Sequence, residues 1–577
     1  MRPAASYRRQ AVVAVIVSTL FTLSPIAASR RRAVDRPAAG PLPVVNYIDA
    51  EVSRKLASSR IEPAAVSGDE EFLRRVTLDL TGTIPLANDV LSFASNPSRN
   101  KRAAKIDDLL RSGEFVDRWT MWFGDLVQNV QNADTVRPYY VGRNAYHAWI
   151  HESIRTGAPY DAMVRELLLG EGDSFQDGPA GYIVRQRQRN GPVQDSYDNL
   201  AAHSAEKFLG LPLGCISCHS GRGHLEMVNG YLAGKTRHDF WRMASFFSGV
   251  EIREASYKDP NNANPFLLRF DVVASPYGEY RLNTTHGNKS PRAPESGQSK
   301  VVTPAFLLTG EQPRPGEPYR AAYGRMLTAD RQFARATANY LWKEMFGRGL
   351  VEPVSSFDPA RLQTQATHPV LLEALADDFI ANGFNLRELL RTIASSSTYQ
   401  LSSHYEGVHP DDSLFARRAP HRLPAEALID AIVTATAVPM ELPVQGMGKV
   451  PRAMQLPDAQ EARNTTVRRF LNNFGRGNRD DIPRTYDGAA AQALALLNSS
   501  DVTNRVRAVK GSTVQKVLDA TSNPREIADL LYLHTLSRLP NPEERRIAVA
   551  YLRAGPLRER TEDLQFALIN SEEFLFV

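Results

Sequence analysis

Residues 70–82 read Glu70-Glu71-Phe72-Leu73-Arg74-Arg75-Val76-Thr77-Leu78-Asp79-Leu80-Thr81-Gly82. The apolar residues Phe72, Leu73, Val76 and Leu80 recur in this stretch at the spacing of one helical face. Pro85 follows shortly afterwards and closes the regular segment. The stretch therefore predicts a helix that buries one of its sides.

The same periodicity extends through the N-terminal half of the chain. We predict further helices wherever apolar residues recur at this spacing. These segments are residues 44–60, 101–110, 115–130, 144–156, 160–169 and 198–209. Together with residues 70–82 they predict a helical domain over residues 44–250.

The pattern changes after residue 250. Leu268, Phe270 and Val272 alternate with charged residues, and Tyr280 and Leu282 alternate again after a turn. Alternation with a period of two is typical of strands, and the prolines that follow mark a connector. Residues 251–320 therefore predict a small β-rich insert that runs into a proline-rich connector.

Helical periodicity returns in the C-terminal half. The predicted helices are residues 333–346, 369–381, 386–396, 424–437 and 487–497. They predict a second helical domain over residues 321–577. The predicted fold class is thus mainly α, with two helical domains and a small β-rich insert between them.

Length and charge limit the classes of function. The chain has 577 residues, which exceeds what one hydrophobic core usually supports. The formal net charge is only +5, and Lys and Arg are interleaved with Asp and Glu. This pattern does not favour nucleic acid as a partner.

The first residues carry the three parts of a secretory signal. Basic residues at positions 2, 8 and 9 precede an apolar run over residues 11–28, and small residues end it. This pattern predicts a signal peptide over residues 1–29 and a periplasmic, cell-surface or secreted protein. Arg30, Arg31 and Arg32 would also suit a retained N-terminal anchor. No later stretch has ~18 uninterrupted apolar residues, so no integral membrane span is predicted after signal cleavage.

The only two cysteines of the chain lie in the motif Cys215-Ile216-Ser217-Cys218-His219. Two thiols at this spacing can add to the vinyl groups of a haem while the adjacent histidine ligates the iron. Such attachment normally occurs outside the cytoplasm, which agrees with the predicted export. We predict covalent haem c on Cys215 and Cys218, with His219 as an axial ligand of the haem iron.

Two other interpretations of the motif stay open. In an oxidising compartment the thiols could form a local disulfide or act as a redox dithiol, with no cofactor. Thiolates and imidazoles also suit zinc, so a zinc site could use Cys215, Cys218, His219 and His224.

Other histidines and methionines are weaker candidates. His224 lies too close to His219 to reach the opposite face of a haem, so it is a candidate metal ligand instead. His203 lies opposite the apolar face of its predicted helix and is expected at the surface. Met243 lies on an apolar stripe and is expected in the core. His147 and His151 share a helical face but lack the glutamate of a zinc-protease motif, so no catalytic residue is predicted.

Residues 72–82, with Pro85, residues 101–110 and Arg118-Trp119, resemble the planctomycete cytochrome-type domain of unknown function found in large secreted bacterial proteins. In that family a Phe-Leu-Gly segment precedes the Cys-x-x-Cys-His motif, as Phe208-Leu209-Gly210 does here. Relatives often continue as Cys-His-x-His-Pro-Phe, whereas four residues separate His219 from His224 here. The resemblance therefore does not extend a ligand role to His224.

The C-terminal half resembles the usual companion of that family, another planctomycete domain of unknown function. The matching segments are Asn339-Tyr340-Leu341-Trp342, Phe346-Gly347-Arg348-Gly349-Leu350-Val351, His368-Pro369, Ser397-Thr398-Tyr399 and Gln492-Ala493-Leu494-Ala495-Leu496-Leu497-Asn498. The two resemblances cover most of residues 45–577. They imply a cytochrome-type protein but no reaction, because neither family has a settled function.

Taken together, the sequence predicts an exported envelope protein that passes single electrons through one haem. Its partner would be a redox protein or an envelope polymer. Two alternatives stay open. One is a non-enzymatic binding or scaffold protein whose Cys-x-x-Cys pair forms a disulfide, and the other is an envelope enzyme that uses a non-haem metal.

Overall fold

The computed structural model describes residues 42–131, 136–259, 266–286, 289–294, 297, 299–458, 464–486 and 490–577. Helices make up 53% of the structure, and the strands are few and form small sheets, so the prediction of a mainly α fold is confirmed. In the part of the chain that is described, none of the helices has both the length and the apolar character needed to cross a bilayer. The predicted signal peptide lies outside the described residues.

The predicted N-terminal helices are all present, with ends that shift by a few residues. They are α1 (Tyr47–Ser59), α2 (Asp69–Thr81), α4 (Lys101–Arg111), α5 (Gly113–Leu126), α6 (Tyr140–Thr156), α7 (Tyr160–Leu169) and α9 (Val193–Ser204). Four further helices lie outside the predicted segments: α3 (Ala87–Ser95), α8 (Ala180–Arg185), α10 (Gly230–Ala233) and α11 (Arg237–Ala244). A π turn, Ala205–Leu209, extends α9 towards the Cys-x-x-Cys-His motif.

Helix α2 shows why the stretch over residues 70–82 is helical. Three acidic residues occupy its first turn, where they favour the positive end of the helix dipole. The four apolar residues of its predicted face are fully buried. Gly82 ends the helix at φ 68°, a left-handed conformation that glycine adopts without strain.

The predicted β insert is a long hairpin. Strand β2 (Val250–Lys258) pairs antiparallel with β3 (Phe266–Ala274), and the two-residue strand β1 (Gly172–Asp173) pairs with the other edge of β3. Leu268, Phe270 and Val272 are buried as their alternation predicted. Two further pairs of short strands, β4 (Tyr280–Arg281) with β5 (Val301–Val302) and β6 (Leu442–Val444) with β7 (Gly448–Val450), complete the sheets of the described residues.

After β5 the regular structure of the described residues is helical except for the pair β6 and β7. The helices are α12 (Tyr319–Ala329), α13 (Arg331–Phe346), α14 (Leu362–Gln365), α15 (Pro369–Ala381), α16 (Leu386–Ser395), α17 (Ala425–Thr436), α18 (Thr465–Asn473), α19 (Ala490–Leu497), α20 (Ser500–Arg505), α21 (Thr513–Ala520), α22 (Pro524–Leu536), α23 (Pro542–Arg553), α24 (Leu557–Ile569) and α25 (Glu572–Leu575). The predicted helix over residues 487–497 begins outside the described residues and continues as α19.

Two clusters of buried apolar side chains form the core. The larger cluster takes its members from residues 42–416, together with Leu533. The smaller one joins Leu78, Ile84 and Met121 to side chains from residues 423–574. The larger core thus contains side chains from both sides of residues 251–320, and the domain division predicted there stays a prediction.

Buried ion pairs join elements of the two cores. Asp125 at the end of α5 accepts hydrogen bonds from Arg479 and from Arg484, the latter at 2.7 and 2.9 Å. Arg484 also donates to Glu426 of α17 at 2.7 and 3.0 Å, and Arg476 pairs with the same carboxylate. Burial alone would favour the neutral acid, but Arg476 and Arg484 lower the pKa of Glu426 to about 2.

This arrangement makes stability sensitive to acid. A carboxylate whose pKa is lowered by folding stabilises the protein fully above its unfolded pKa, and that contribution is lost as pH falls through the folded value. From the shift of Glu426, the free energy of unfolding should fall by on the order of 3 kcal/mol between pH 4.5 and 2. Urea unfolding over this range measures the slope. Glu426→Gln should reduce the slope of the free energy of unfolding against pH. Glu62→Gln, at an exposed position, should leave this slope unchanged.

Candidate functional site

The Cys-x-x-Cys-His motif begins with a single 3-10 turn, Cys215–Ser217. The backbone N–H groups of Cys218 and His219 donate to the carbonyl oxygen of Cys215 at 3.2 and 3.4 Å. Side chains three residues apart lie above one another in a 3-10 turn. The local backbone therefore directs both thiols to the same side.

The middle of the motif fastens this turn to the protein. Ile216 is fully buried in the larger core, and the hydroxyl of Ser217 donates to the carbonyl of Gly214 at 2.6 Å. Cys215 is exposed and Cys218 is partly exposed, and both are free thiols. The two sulfur atoms are thus reachable from solvent on a backbone that is held from behind.

The segment before the motif fixes its position. Phe208 and Leu209 are fully buried, and Gly210 follows at φ 65°. A side chain at Gly210 would lie 2.6 Å from the ring of Phe357, whose backbone N–H donates to the Gly210 carbonyl at 2.8 Å. Only a glycine permits this close approach. The Phe-Leu-Gly segment therefore seats the motif against a loop of the C-terminal half.

The imidazole of His219 is exposed and held by one contact. Its Nδ1 lies 3.0 Å from the carbonyl oxygen of Ser220. A carbonyl accepts hydrogen bonds only, so this contact places the ring proton on Nδ1 and leaves the lone pair on Nε2. Metal-binding histidines commonly use this kind of second contact to fix their tautomer.

His224 lies next to His219, as a shared metal site would require. The ring centroids are 4.6 Å apart, and both rings are exposed. Two imidazoles on opposite faces of one iron would have centroids about 6 Å apart, since each metal–nitrogen bond is about 2 Å. In this geometry the pair therefore suits one side of a metal ion and not the two faces of a haem.

The loop after the motif is held at three points. The N–H of Gly221 donates to the carbonyl of Lys235 at 2.8 Å, Leu225 is buried, and Asn229 donates from Nδ2 to the carbonyl of Phe357 at 2.8 Å. Between the last two points the loop is exposed, and Met227 is 91% accessible. The loop therefore presents an apolar side chain to solvent beside the motif.

Arg237, at the start of α11, supports the turn from behind. It donates from Nη1 and Nη2 to the carbonyls of Pro291 and Ser290, both at 3.0 Å, and from Nε to the carbonyl of Ser217 at 3.4 Å. One guanidinium thus joins the Cys-x-x-Cys turn to residues 289–292. The position of the turn depends on that segment.

Residues 289–292 are in turn held by a buried charge cluster. Arg292 donates from Nη2 to Asp195 and Asp198 of α9 at 2.5 and 2.6 Å, and from Nε to the hydroxyl of Tyr280 at 2.9 Å. Tyr280 donates to Asp198 at 2.7 Å. Burial opposes the charge of Arg292, but Asp198 raises its pKa above the ordinary value. These four buried residues hold residues 289–292, and through Arg237 the Cys-x-x-Cys turn, against α9.

This cluster was missed by the sequence analysis. The predicted helix over residues 198–209 begins at Asp198, so Asp195 lies before it, and acidic residues near a helix start are ordinary surface residues. Arg292 lies in a proline-rich connector without periodicity. The one available signal was the i, i+3 spacing of the two carboxylates, which places them on one helical face.

Two other candidate ligands, His203 and Met243, lie inside the protein. His203 is not a surface residue: its ring is largely buried, its Nδ1 has no hydrogen-bond partner in the described chain, and burial lowers its pKa to about 3. Met243 is fully buried, as expected, and its sulfur accepts the N–H of Leu307 at 3.1 Å. Met243 therefore packs in the core, with its sulfur engaged by a backbone N–H group.

The remaining histidine pair has no clear metal geometry. His147 is buried, and burial lowers its pKa to about 3, while His151 lies 3.6 Å from Asp117. Across the ranges that the structure describes, no group of three or more His, Cys, Asp or Glu side chains is placed to hold a metal ion. The zinc interpretation of Cys215, Cys218, His219 and His224 stays a hypothesis.

Comparison with known proteins identifies two regions of the chain. Residues 47–252 match the family model PSCyt2, described as a protein of unknown function (DUF1549). Residues 320–552 match the family model PSD1, also described as a protein of unknown function (DUF1553). No curated protein and no solved structure matches the chain.

Proposed function

We propose that this chain, which carries the PSCyt2 and PSD1 domains of unknown function in that order, is an exported c-type cytochrome-like protein. Cys215 and Cys218 would hold the haem covalently, and His219 would ligate its iron. When bound, the haem would supply one-electron transfer.

One observation carries this proposal. The 3-10 turn begins at Cys215 and is capped by Cys218, both thiols are free and at least partly exposed, and the Nδ1 of the adjacent His219 is engaged. The chain thus offers two nucleophilic sulfur atoms and one available imidazole nitrogen within five residues. Ile216 and Arg237 hold the backbone of the turn in place from the protein side.

Export supports the same assignment. The basic and apolar segments of residues 1–29 have the pattern of a signal peptide. We propose a periplasmic or surface location, where a redox protein would be the electron partner. An envelope polymer is the alternative partner if the protein acts as a scaffold.

An absorption spectrum tests the haem directly. Protein expressed with a haem-attachment system should be coloured, should give a sharp α band on reduction, and should keep its haem through acid-acetone extraction. Cys215→Ser and Cys218→Ser should each retain one thioether bond, and the double variant should lose the covalent haem. His224→Ala is the matched control and should retain it.

Three results would contradict the proposal and indicate which alternative holds. A colourless protein with an intact mass two hydrogens below the reduced chain would indicate a disulfide scaffold. A colourless protein that retains zinc, and loses it in His224→Ala, would indicate a metal site. The second alternative draws support from the 4.6 Å separation of the His219 and His224 rings. Haem that is retained after loss of both cysteines would be bound without thioether bonds, because the sequence contains no other cysteine.

A further inference from the structure

A cleft lies between α13 and α15 on one side and residues 359–364 on the other. Its volume is about 450 Å³, which is within the range of small-molecule sites. The side chains around it belong to Arg335, Pro359, Ala360, Arg361, Leu362, Gln363, Thr364 and Glu373. Nothing in the proposed haem function uses this cleft.

Two guanidinium groups, those of Arg335 and Arg361, line the cleft, and each is paired with one carboxylate. The four groups together have no net charge. Arg335 donates to Glu373 from Nε and Nη2 at 2.8 and 3.0 Å, and Arg361 donates to Asp358 and to the carbonyl of Glu226 from Nε and Nη2. In each guanidinium the Nη1 donors have no partner among the described residues. Two planar cations with unused donors suit a carboxylate.

Neutral polar groups complete the lining. Gln363 and Thr364 are exposed, and the hydroxyl of Thr364 donates to the carbonyl of Arg361 at 3.0 Å, which leaves its oxygen able to accept. An amide and a hydroxyl beside two guanidinium groups can bind hydroxyl groups next to a carboxylate. We propose that this cleft binds a small hydroxy carboxylate of monosaccharide size, such as a uronic acid.

The cleft is connected to the loop that follows the motif. Arg361 holds the carbonyl of Glu226 at 3.3 Å, and Asp358 accepts the N–H groups of Gly230 and Tyr231 at 2.7 and 3.0 Å. A ligand on Arg361 therefore lies one side chain away from the exposed loop beside the motif. The site does not depend on haem, so the two proposals can fail separately.

Calorimetric titration of the full chain tests the site with three probes. Glucuronate should bind with a dissociation constant of about 10 µM to 1 mM. Glucose, which lacks the carboxylate, and acetate, which lacks the hydroxyl groups, should each bind at least tenfold more weakly. No binding of glucuronate overturns the proposal. Equal binding of glucose overturns the role of the anion, and equal binding of acetate overturns the role of the hydroxyl groups.

Charge-matched variants locate the binding. Arg335→Gln and Arg361→Gln should each weaken glucuronate binding about tenfold or more, the loss expected for a hydrogen bond to a charged group. Arg331→Gln is the control, because Arg331 pairs with the same Glu373 at 2.6 Å but does not line the cleft. Glu373 keeps one arginine partner in Arg335→Gln and in Arg331→Gln. Equal weakening in all three variants would overturn the assignment to this cleft.

Discussion

Arg292→Met is expected to lower the free energy of unfolding by about 3–5 kcal/mol, the cost of removing one partner from a buried ion pair. The variant would remove the guanidinium hydrogen bonds of the buried carboxylates of Asp195 and Asp198 and of the Tyr280 hydroxyl. Lys289 would still act electrostatically on both carboxylates. Burial raises the pKa of Asp198 even in the native protein. Without Arg292 that carboxyl would have to take up a proton or draw in water.

Urea unfolding at pH 7 measures this loss. Arg281→Met is the matched control, because Arg281 pairs with Glu279 at a position that is more than half exposed, where ion pairs contribute about 1 kcal/mol or less. Arg292→Met should also make Cys218 react faster with a thiol reagent. The reason is that Arg237 ties the Cys-x-x-Cys turn to residues 290 and 291, which lie next to Arg292. A loss no larger than that of the control would show that the cluster is hydrated and does not lock the motif.

Local periodicity was sufficient to predict about half of the helices and the strand β3. Residues 70–82 form α2 because their apolar residues define one buried face, and that face is visible in the sequence alone. The alternation at Leu268, Phe270 and Val272 predicted β3 for the same reason. Where a side chain is buried because of its place on its own helix or strand, its burial can be predicted from the sequence.

Burial by distant elements could not be predicted in this way. His203 lies opposite the apolar face of α9, but its ring is largely buried, and the charges of Arg185 and Lys289 from other segments help to lower its pKa. Arg292 meets Asp195 and Asp198 across 97 and 94 residues. The motif itself was visible in the sequence, whereas the side chains that support it come together only in the fold.

Asn339 of α13 shows the same kind of contact and carries the second large prediction. It is fully buried and holds residues 350 and 351 with three hydrogen bonds. Its Oδ1 accepts the N–H groups of Leu350 and Val351 at 2.7 and 3.0 Å, and its Nδ2 donates to the Val351 carbonyl at 2.9 Å. Asn339→Leu would leave three backbone groups without this partner. Each such buried group costs about 1–3 kcal/mol, so the free energy of unfolding should fall by about 3 kcal/mol or more.

Two comparisons distinguish the loss of these bonds from a change of side-chain volume. Asn339→Asp keeps an acceptor for both N–H groups, but its ionised carboxylate has no donor for the Val351 carbonyl. At acidic pH the new carboxyl group is neutral and can donate, so the variant should retain part of the stability there. Asn382→Leu lies at an exposed helix end, where the Asn382 side chain bonds to Asp378, and should change the free energy of unfolding by less than about 1 kcal/mol. If Asn339→Leu lowered the free energy of unfolding as little as Asn382→Leu, water would be hydrogen-bonding the backbone groups of residues 350 and 351 in the variant. The hydrogen bonds of Asn339 would then not be what fixes residues 350 and 351, which lie in the chain between α13 and residues 359–364 of the cleft.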